Sequence, residues 1–177
     1  MEALKKNFFD FLSLPAQFAL DAEQLEQAFR RIQSSMHPDR FVRAGDAEKR
    51  IAMQLSTKAN QAYQTLRDPL SRARYLCELN GQDVGAEDNT AMPAEFLMEQ
   101  MSWHEALDEW REAPDAAELQ VLIGRNQAAQ EALQQKLLTE LDERQDYPAA
   151  AGVVRQYMFL ERFAQQLLDA TRQVAKS

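Results

Sequence analysis

The chain has 177 residues, enough for one large domain or two small ones, and its 45% apolar content is ordinary for a globular protein. Five Gly and six Pro among abundant Ala, Leu, Gln, Glu and Arg favour helices, no alternating β-branched run argues for a sheet, and no stretch of about eighteen apolar residues offers a membrane span. The net charge of −8 is uneven, with 12 Lys and Arg against 9 Asp and Glu over residues 1–75 and 8 against 19 over residues 76–177, so the halves suit partners of opposite sign and the acidic half argues against nucleic acid.

Met1-Glu2-Ala3-Leu4-Lys5-Lys6 is not followed by a signal-peptide core and no membrane partner is expected, while the single cysteine fits a reducing, cytoplasmic setting. Residues 4–14, with Phe8, Phe9 and Phe11, read as one short buried helix stopped at Leu14-Pro15. Asp21 with Gln24 three residues on forms a capping box. In the helix that follows, Leu25, Phe29, Ile32 and Met36 share one apolar face, while Gln27, Arg30, Arg31 and Ser34 lie on other faces.

Pro38 fixes its own φ and pushes His37 out of the α region, so this helix should end near Met36. Asp39 is then presented on a stiff turn. By itself the stretch reads equally as a helix-breaking loop or as a docking point. Gly45-Asp46 looks like a loop ending in a cap, and Ile51, Leu55, Ala59, Ala62, Tyr63 and Leu66 mark a second long amphipathic helix, giving a helical hairpin with the turn at its tip. Asp68-Pro69 opens another helix through Tyr75, Leu76 and Leu79, closed by Asn80-Gly81. Cys77 within it is the only cysteine. It excludes an internal disulfide and a cysteine cage for zinc or an iron–sulfur cluster held by this chain alone, and it reads as a small packed side chain.

These residues carry a resemblance. A short aromatic helix, a basic-decorated helix, His37-Pro38-Asp39 at a hairpin tip and a long third helix resemble a J domain, the module by which co-chaperones stimulate ATP hydrolysis in DnaK-class chaperones. The string Asn60-Gln61-Ala62-Tyr63-Gln64-Thr65-Leu66-Arg67-Asp68-Pro69-Leu70, followed by Arg72-Ala73 and Tyr75-Leu76, is similar to the HscB family, the J-type co-chaperones of iron–sulfur cluster assembly, over nearly the whole chain.

Residues 82–92 are polar and read as a linker between a J domain over 1–81 and a C-terminal domain over 93–177. Pro93 starts a helix through about Arg111, in which Phe96, Trp103, Leu107 and Trp110 fall within about 60° of one another. Leu97, Met98 and Met101 lie on nearly the opposite side, continued by Glu105, Asp108 and Glu109, where a helix of this kind should be polar. Pro114-Asp115 opens a helix with a stripe of Leu119, Leu122, Ala129, Leu133, Leu137 and Leu141. After a polar break over 142–148, Val153, Tyr157, Leu160, Ala164 and Leu167 make the core face of a last helix, with Met158 and Phe159 on its flanks. The fold class expected is all-α, an N-terminal J-domain helical hairpin followed by an antiparallel three-helix bundle.

The apolar back of the helix after Pro93 admits two readings, packing against the N-terminal half or an exposed binding patch with an acidic rim. The resemblance implies the second, with Leu97, Met98, Met101, Glu105, Glu109 and Phe159 holding the iron–sulfur scaffold protein IscU. Ser102 stands where a close relative would place another acid. The resemblance also implies that His37, Pro38 and Asp39, with Arg30, Arg31 and Arg40, dock on a specialised DnaK-class chaperone, HscA, whose ATPase the protein stimulates. Arg40 replaces the usual Lys, which keeps the charge and changes the donor geometry. Two histidines, His37 and His104, one cysteine and no glycine-rich phosphate loop give no convergent catalytic site, no metal site and no cofactor. The remaining alternatives are an adaptor without chaperone coupling and a general J-type co-chaperone for unfolded clients.

Overall fold

The computed structural model describes residues 2–36, 45–85 and 92–174, and every regular element among them is helical. The chain divides into two compact units, Met1–Leu76 and Cys77–Ser177. Of the linker expected at 82–92, residues 86–91 lie outside the described residues.

In the first unit the single helix expected over 4–14 is two pieces, a 3₁₀ turn Glu2–Lys5 and helix α1, Phe8–Leu12. Asn7 causes the break, because its side-chain oxygen accepts the Asp10 N–H at 2.9 Å and so caps a new helix. Ser13 closes α1 in the left-handed region at φ 58°, with Ser13 N–H donating to Asp10 O and Leu14 N–H donating to Phe9 O. Phe9, Phe11 and Leu12 are buried. The Lys58 ammonium donates to Leu4 O at 2.6 Å and to Lys6 O, and it lies 5.3 Å from the Phe11 ring centroid. One cation thus ties the first residues to helix α3.

Helix α2, Ala22–Ser35, starts on Asp21, whose Oδ1 accepts the N–H groups of Glu23 at 2.8 Å and Gln24 at 3.3 Å. Helix α3, Asp46–Arg67, has Gly45 as its cap and no side-chain cap bond, so Asp46 contributes through its charge in the first turn instead. Helices α2 and α3 pack together, burying Leu25 and Ala28 against a stripe of Ala52, Ala59, Ala62 and Leu66. Ile51, expected in that stripe, is 39% exposed. It lies one residue, about 100°, from the alanine line along which the helices meet. Helix α4, Pro69–Leu79, opens with Asp68 accepting the Ser71 N–H at 2.7 Å. It closes at Gly81, φ 78°, where Gly81 N–H donates to Glu78 O and Gln82 N–H to Cys77 O.

The second unit contains α5, Ala94–Glu112, α6, Ala116–Leu138, and α7, Tyr147–Val174. Asp115 caps α6 by accepting the Ala117 and Glu118 N–H groups at 2.7 and 3.0 Å, and its carbonyl accepts the Trp110 indole N–H at 2.7 Å, which fixes the turn from α5. The polar break expected over 142–148 contracts to 144–146. A π turn, Thr139–Glu143, extends α6, and Asp146 caps α7 at once by accepting the Ala149 N–H, with Pro148 in the first turn, where its missing N–H costs nothing.

The core takes Trp103, Leu107 and Trp110 from α5, a leucine stripe through Leu119, Leu122, Leu133 and Leu137 from α6, and Val154, Tyr157, Leu160, Phe163 and Leu167 from α7. Val153, Ala164 and Ala129, expected inside, are half-buried. Val154 and Phe163 take the places of Val153 and Ala164, one residue later at one end and one earlier at the other, so the buried line drifts round this long helix and Phe163 comes against Trp103 and His104 of α5. Gln100 and Asn126 lie in the α5 and α6 stripes at 4% and 2% exposure, and neither Gln100 amide atom nor Asn126 Oδ1 has a protein partner.

Two outcomes are expected. Asp115→Ala should lower unfolding stability by about 1 kcal/mol, the usual worth of an N-cap, with the urea m-value unchanged. Cys77 is buried, and desolvation pushes its thiol from 9.0 to about 11. Since this favours the protonated form in the fold, its contribution to stability is intact below 9.0 and lost as pH rises through about 11. A thiol reagent at pH 8 should leave Cys77 unmodified in the native protein and label it fully in guanidinium.

Candidate functional site

Each unit carries one candidate surface. In the first, ring stacking fixes the rotation of α2. Phe29 lies on Tyr63 of α3 with centroids 4.4 Å apart, and the Tyr63 hydroxyl donates to Glu26 Oε2 at 2.6 Å. With that face held, Gln27, Arg30, Arg31 and Ser34 are exposed. The helix ends at Ser35, and Met36, with φ −102° and ψ 11°, donates its N–H to Ile32 O and Gln33 O. The end expected near Met36 is therefore observed. His37, Pro38, Asp39 and Arg40 lie outside the described residues.

Arg30 is not a free cation. Its Nε donates to Glu26 Oε1 at 2.8 Å, so Glu26 receives Tyr63 on one oxygen and Arg30 on the other. The Tyr63 hydroxyl and then Arg30 hold the Glu26 carboxyl below its usual range, while the same bond raises the Tyr63 phenol. Among the described residues no carboxylate pairs with Arg31. The sequence reading missed this triad, although the i, i+4 spacing of Glu26 and Arg30 signals its first pair.

In the second unit, α5 rests on α7 through rings. Phe96 meets Phe159 edge-on with centroids 6.5 Å apart, and Phe163 takes Trp103 at 5.9 Å and His104 at 4.9 Å. These contacts bury Trp103, Leu107 and Trp110 and turn the other side of α5 outward. Leu97 is 40% exposed, Met98 71%, Met101 63%, and Phe159, on the neighbouring helix, 36%. Phe96, expected wholly inside, is half-buried because it shares its edge with Phe159. Glu105 and Glu109 continue this side, both exposed, and no described cation pairs with either. Asp108 is taken by Arg111 at 2.5 Å. Arg162, unremarked in the sequence, lies 5.7 Å from the Phe159 centroid and places one cation at the patch edge.

The other flank of α5 forms a groove with α6 of about 870 Å³, floored by Phe96, Trp103, Leu133 and Leu160. Its one hydroxyl, Ser102, donates to Glu99 O at 2.9 Å, and the lining contains neither histidine nor cysteine. Among the described residues no group of three or more His, Cys, Asp or Glu is placed to hold a metal ion, and no helix is long and apolar enough to cross a membrane. The surface of the second unit offers flexible apolar side chains with uncompensated acids beside them, an arrangement suited to binding.

Residues 92–168 match the family model of the HSCB C-terminal oligomerisation domain. The chain is 50% identical over 167 residues to the co-chaperone protein HscB homolog of Burkholderia multivorans, covering 94% of this chain and 95% of the relative, and the homolog of Burkholderia cenocepacia gives the same figures. Among solved structures, chaperone HscB from Vibrio cholerae superposes with a TM-score of 0.83 at 32% identity, covering 96% of this chain and 99% of that one. Human co-chaperone HscB superposes at 0.84 with 25% identity, covering 92% and 81%.

If the patch is surface rather than core, Met98→Gln and Met101→Gln should each change unfolding stability by less than about 0.5 kcal/mol, while Trp103→Ala should cost about 3–5 kcal/mol. Urea titrations followed by circular dichroism make the comparison.

Proposed function

The chain belongs to the HscB family of co-chaperones, and on that footing we propose that it bridges an iron–sulfur scaffold protein of the IscU type and a specialised DnaK-class chaperone of the HscA type. The observation that carries this reading is the exposed Leu97, Met98 and Met101 face of α5, extended by Phe159 and flanked by Glu105 and Glu109. An apolar patch with an acidic rim suits a folded partner with a basic border, since the rim steers encounter and the apolar side chains supply contact area. A generalist for unfolded chains would need a broader apolar surface.

The N-terminal unit supplies the other contact. Helix α2 carries Arg30, paired with Glu26, and Arg31 ahead of His37, Pro38, Asp39 and Arg40 in the chain, and the arginines give this stretch a positive charge suited to an acidic chaperone surface. Asp39 would meet a chaperone arginine and couple scaffold delivery to ATP hydrolysis. The domain reading, a J domain over 1–81 and a scaffold-binding domain over 93–177, is supported by the family model beginning at residue 92. Both contacts on one chain raise the effective concentration of scaffold at the chaperone without new chemistry.

The test is the steady-state ATPase rate of an HscA-type chaperone with this protein, with the scaffold, and with both. The rate should rise with the protein and rise further with the scaffold. His37→Gln or Asp39→Asn should abolish the stimulation and leave scaffold binding and helicity intact. Leu97→Ala combined with Phe159→Ala should remove the scaffold-dependent part alone, with a loss of scaffold affinity of about tenfold or more, as for truncated interface anchors. Stimulation indifferent to the scaffold would leave a J-type protein with another client, and no stimulation would overturn the reading.

A further inference from the structure

We infer that Glu26 and Tyr63 decide which of the two adjacent α2 arginines is available to the chaperone: they hold and neutralise Arg30, leaving Arg31 as the cation that docks. The inference rests on the proposed chaperone contact and adds a selectivity within it.

The geometry is a chain of three. Phe29 stacks on Tyr63 at 4.4 Å with a 21° interplanar angle, which aims the phenol at Glu26. The phenol takes one carboxylate oxygen at 2.6 Å and Arg30 Nε takes the other at 2.8 Å. The pair is an exposed i, i+4 one, with the Arg30 side chain 74% and that of Glu26 36% in solvent, and what sets it apart is that Tyr63 fixes the position of the carboxylate from α3. A chaperone carboxylate approaching Arg30 must compete with Glu26 and meets Glu26's negative charge as well. Arg31 stands about 100° round the helix, exposed and without a described carboxylate partner. Tyr63 is therefore a positioning residue, acting on Arg30 only through Glu26.

The experiment measures the protein concentration giving half-maximal ATPase stimulation of an HscA-type chaperone, using full-length variants. Arg31→Gln should raise it about tenfold, the loss of one charge-assisted hydrogen bond, and Arg30→Gln only about two- to threefold. In Glu26→Gln, which releases Arg30, adding Arg30→Gln should cost about tenfold, so the two substitutions are non-additive. Tyr63→Phe, which keeps the ring stack, should shift the Arg30 effect in the same direction. The plateau rate should not change in any of these. Independently of the chaperone, the Arg30 Nε–H signal in ¹⁵N spectra should be protected from water exchange in the native protein and lose that protection in Glu26→Gln. Equal sensitivity to Arg30→Gln and Arg31→Gln, or additivity with Glu26→Gln, overturns the inference and leaves the functional reading standing. Absence of stimulation by the unsubstituted protein overturns both.

Discussion

The contact of Phe163 with Trp103 and His104 grips one side of α5, and with it the rotation of that helix about its own axis, on which the exposed surface of the C-terminal unit depends. A helix whose apolar residues were confined to one face would find its rotation from burial alone. Helix α5 has apolar residues on two nearly opposite sides, and either could in principle be buried. The rings decide: Trp103, Leu107 and Trp110 carry more area than Leu97, Met98 and Met101, so burying the aromatic side wins by the hydrophobic term. The losing side is left exposed at 40–71%. An apolar patch in water is the consequence of a larger apolar face having taken the core, and that patch is what a partner can use.

The N-terminal unit solves the corresponding problem with a polar anchor. Helix α2 meets α3 along an alanine line, Ala52, Ala59 and Ala62, which allows close approach but fixes rotation weakly since the side chains are small. Phe29 on Tyr63 and the Tyr63–Glu26 hydrogen bond supply the missing specification. In water such a bond adds little to net stability. Its value is directional, since it decides which side of α2 faces solvent and what charge that side displays. The two units thus use aromatic contacts for one purpose, to define the exposed side of a helix by gripping the other.

Much of this was legible in the sequence. Helix existence and order followed from periodicity, and Asp21, Asp115 and Gly81 could be assigned as stop and start signals because capping is a local interaction. The apolar back of α5 was legible for the same reason, since a wheel needs only one helix. What failed was whatever depends on a neighbour. Whether Ile51 or Ala52 is buried depends on how closely α2 approaches, and whether Ala164 or Phe163 is buried depends on the α5 rings that Phe163 meets. Asn7 is a cap signal of the same local kind, obscured by the aromatic run around it, while the left-handed φ of 58° at Ser13 has no signature in a residue that is neither Gly nor Asn. The Glu26–Tyr63 bond spans 37 positions in the chain and has no sequence signature beyond the i, i+4 pairing with Arg30.

The same distinction explains why the buried amides escaped notice. Gln100 and Asn126 occupy stripe positions on α5 and α6 where the wheel asks for apolar side chains, and a polar residue within an apolar stripe is easily passed over as a lapse of pattern. Neither amide atom of Gln100, nor Oδ1 of Asn126, has a protein partner, and a buried amide atom opposes folding to the extent that it gives up water without regaining a hydrogen bond. The bundle tolerates them because the surrounding rings and leucines bury enough area to absorb the cost. The aromatic contacts therefore settle both sides of α5: they leave an apolar patch in water on one, and they place the Gln100 amide at 4% exposure among the core side chains of the other.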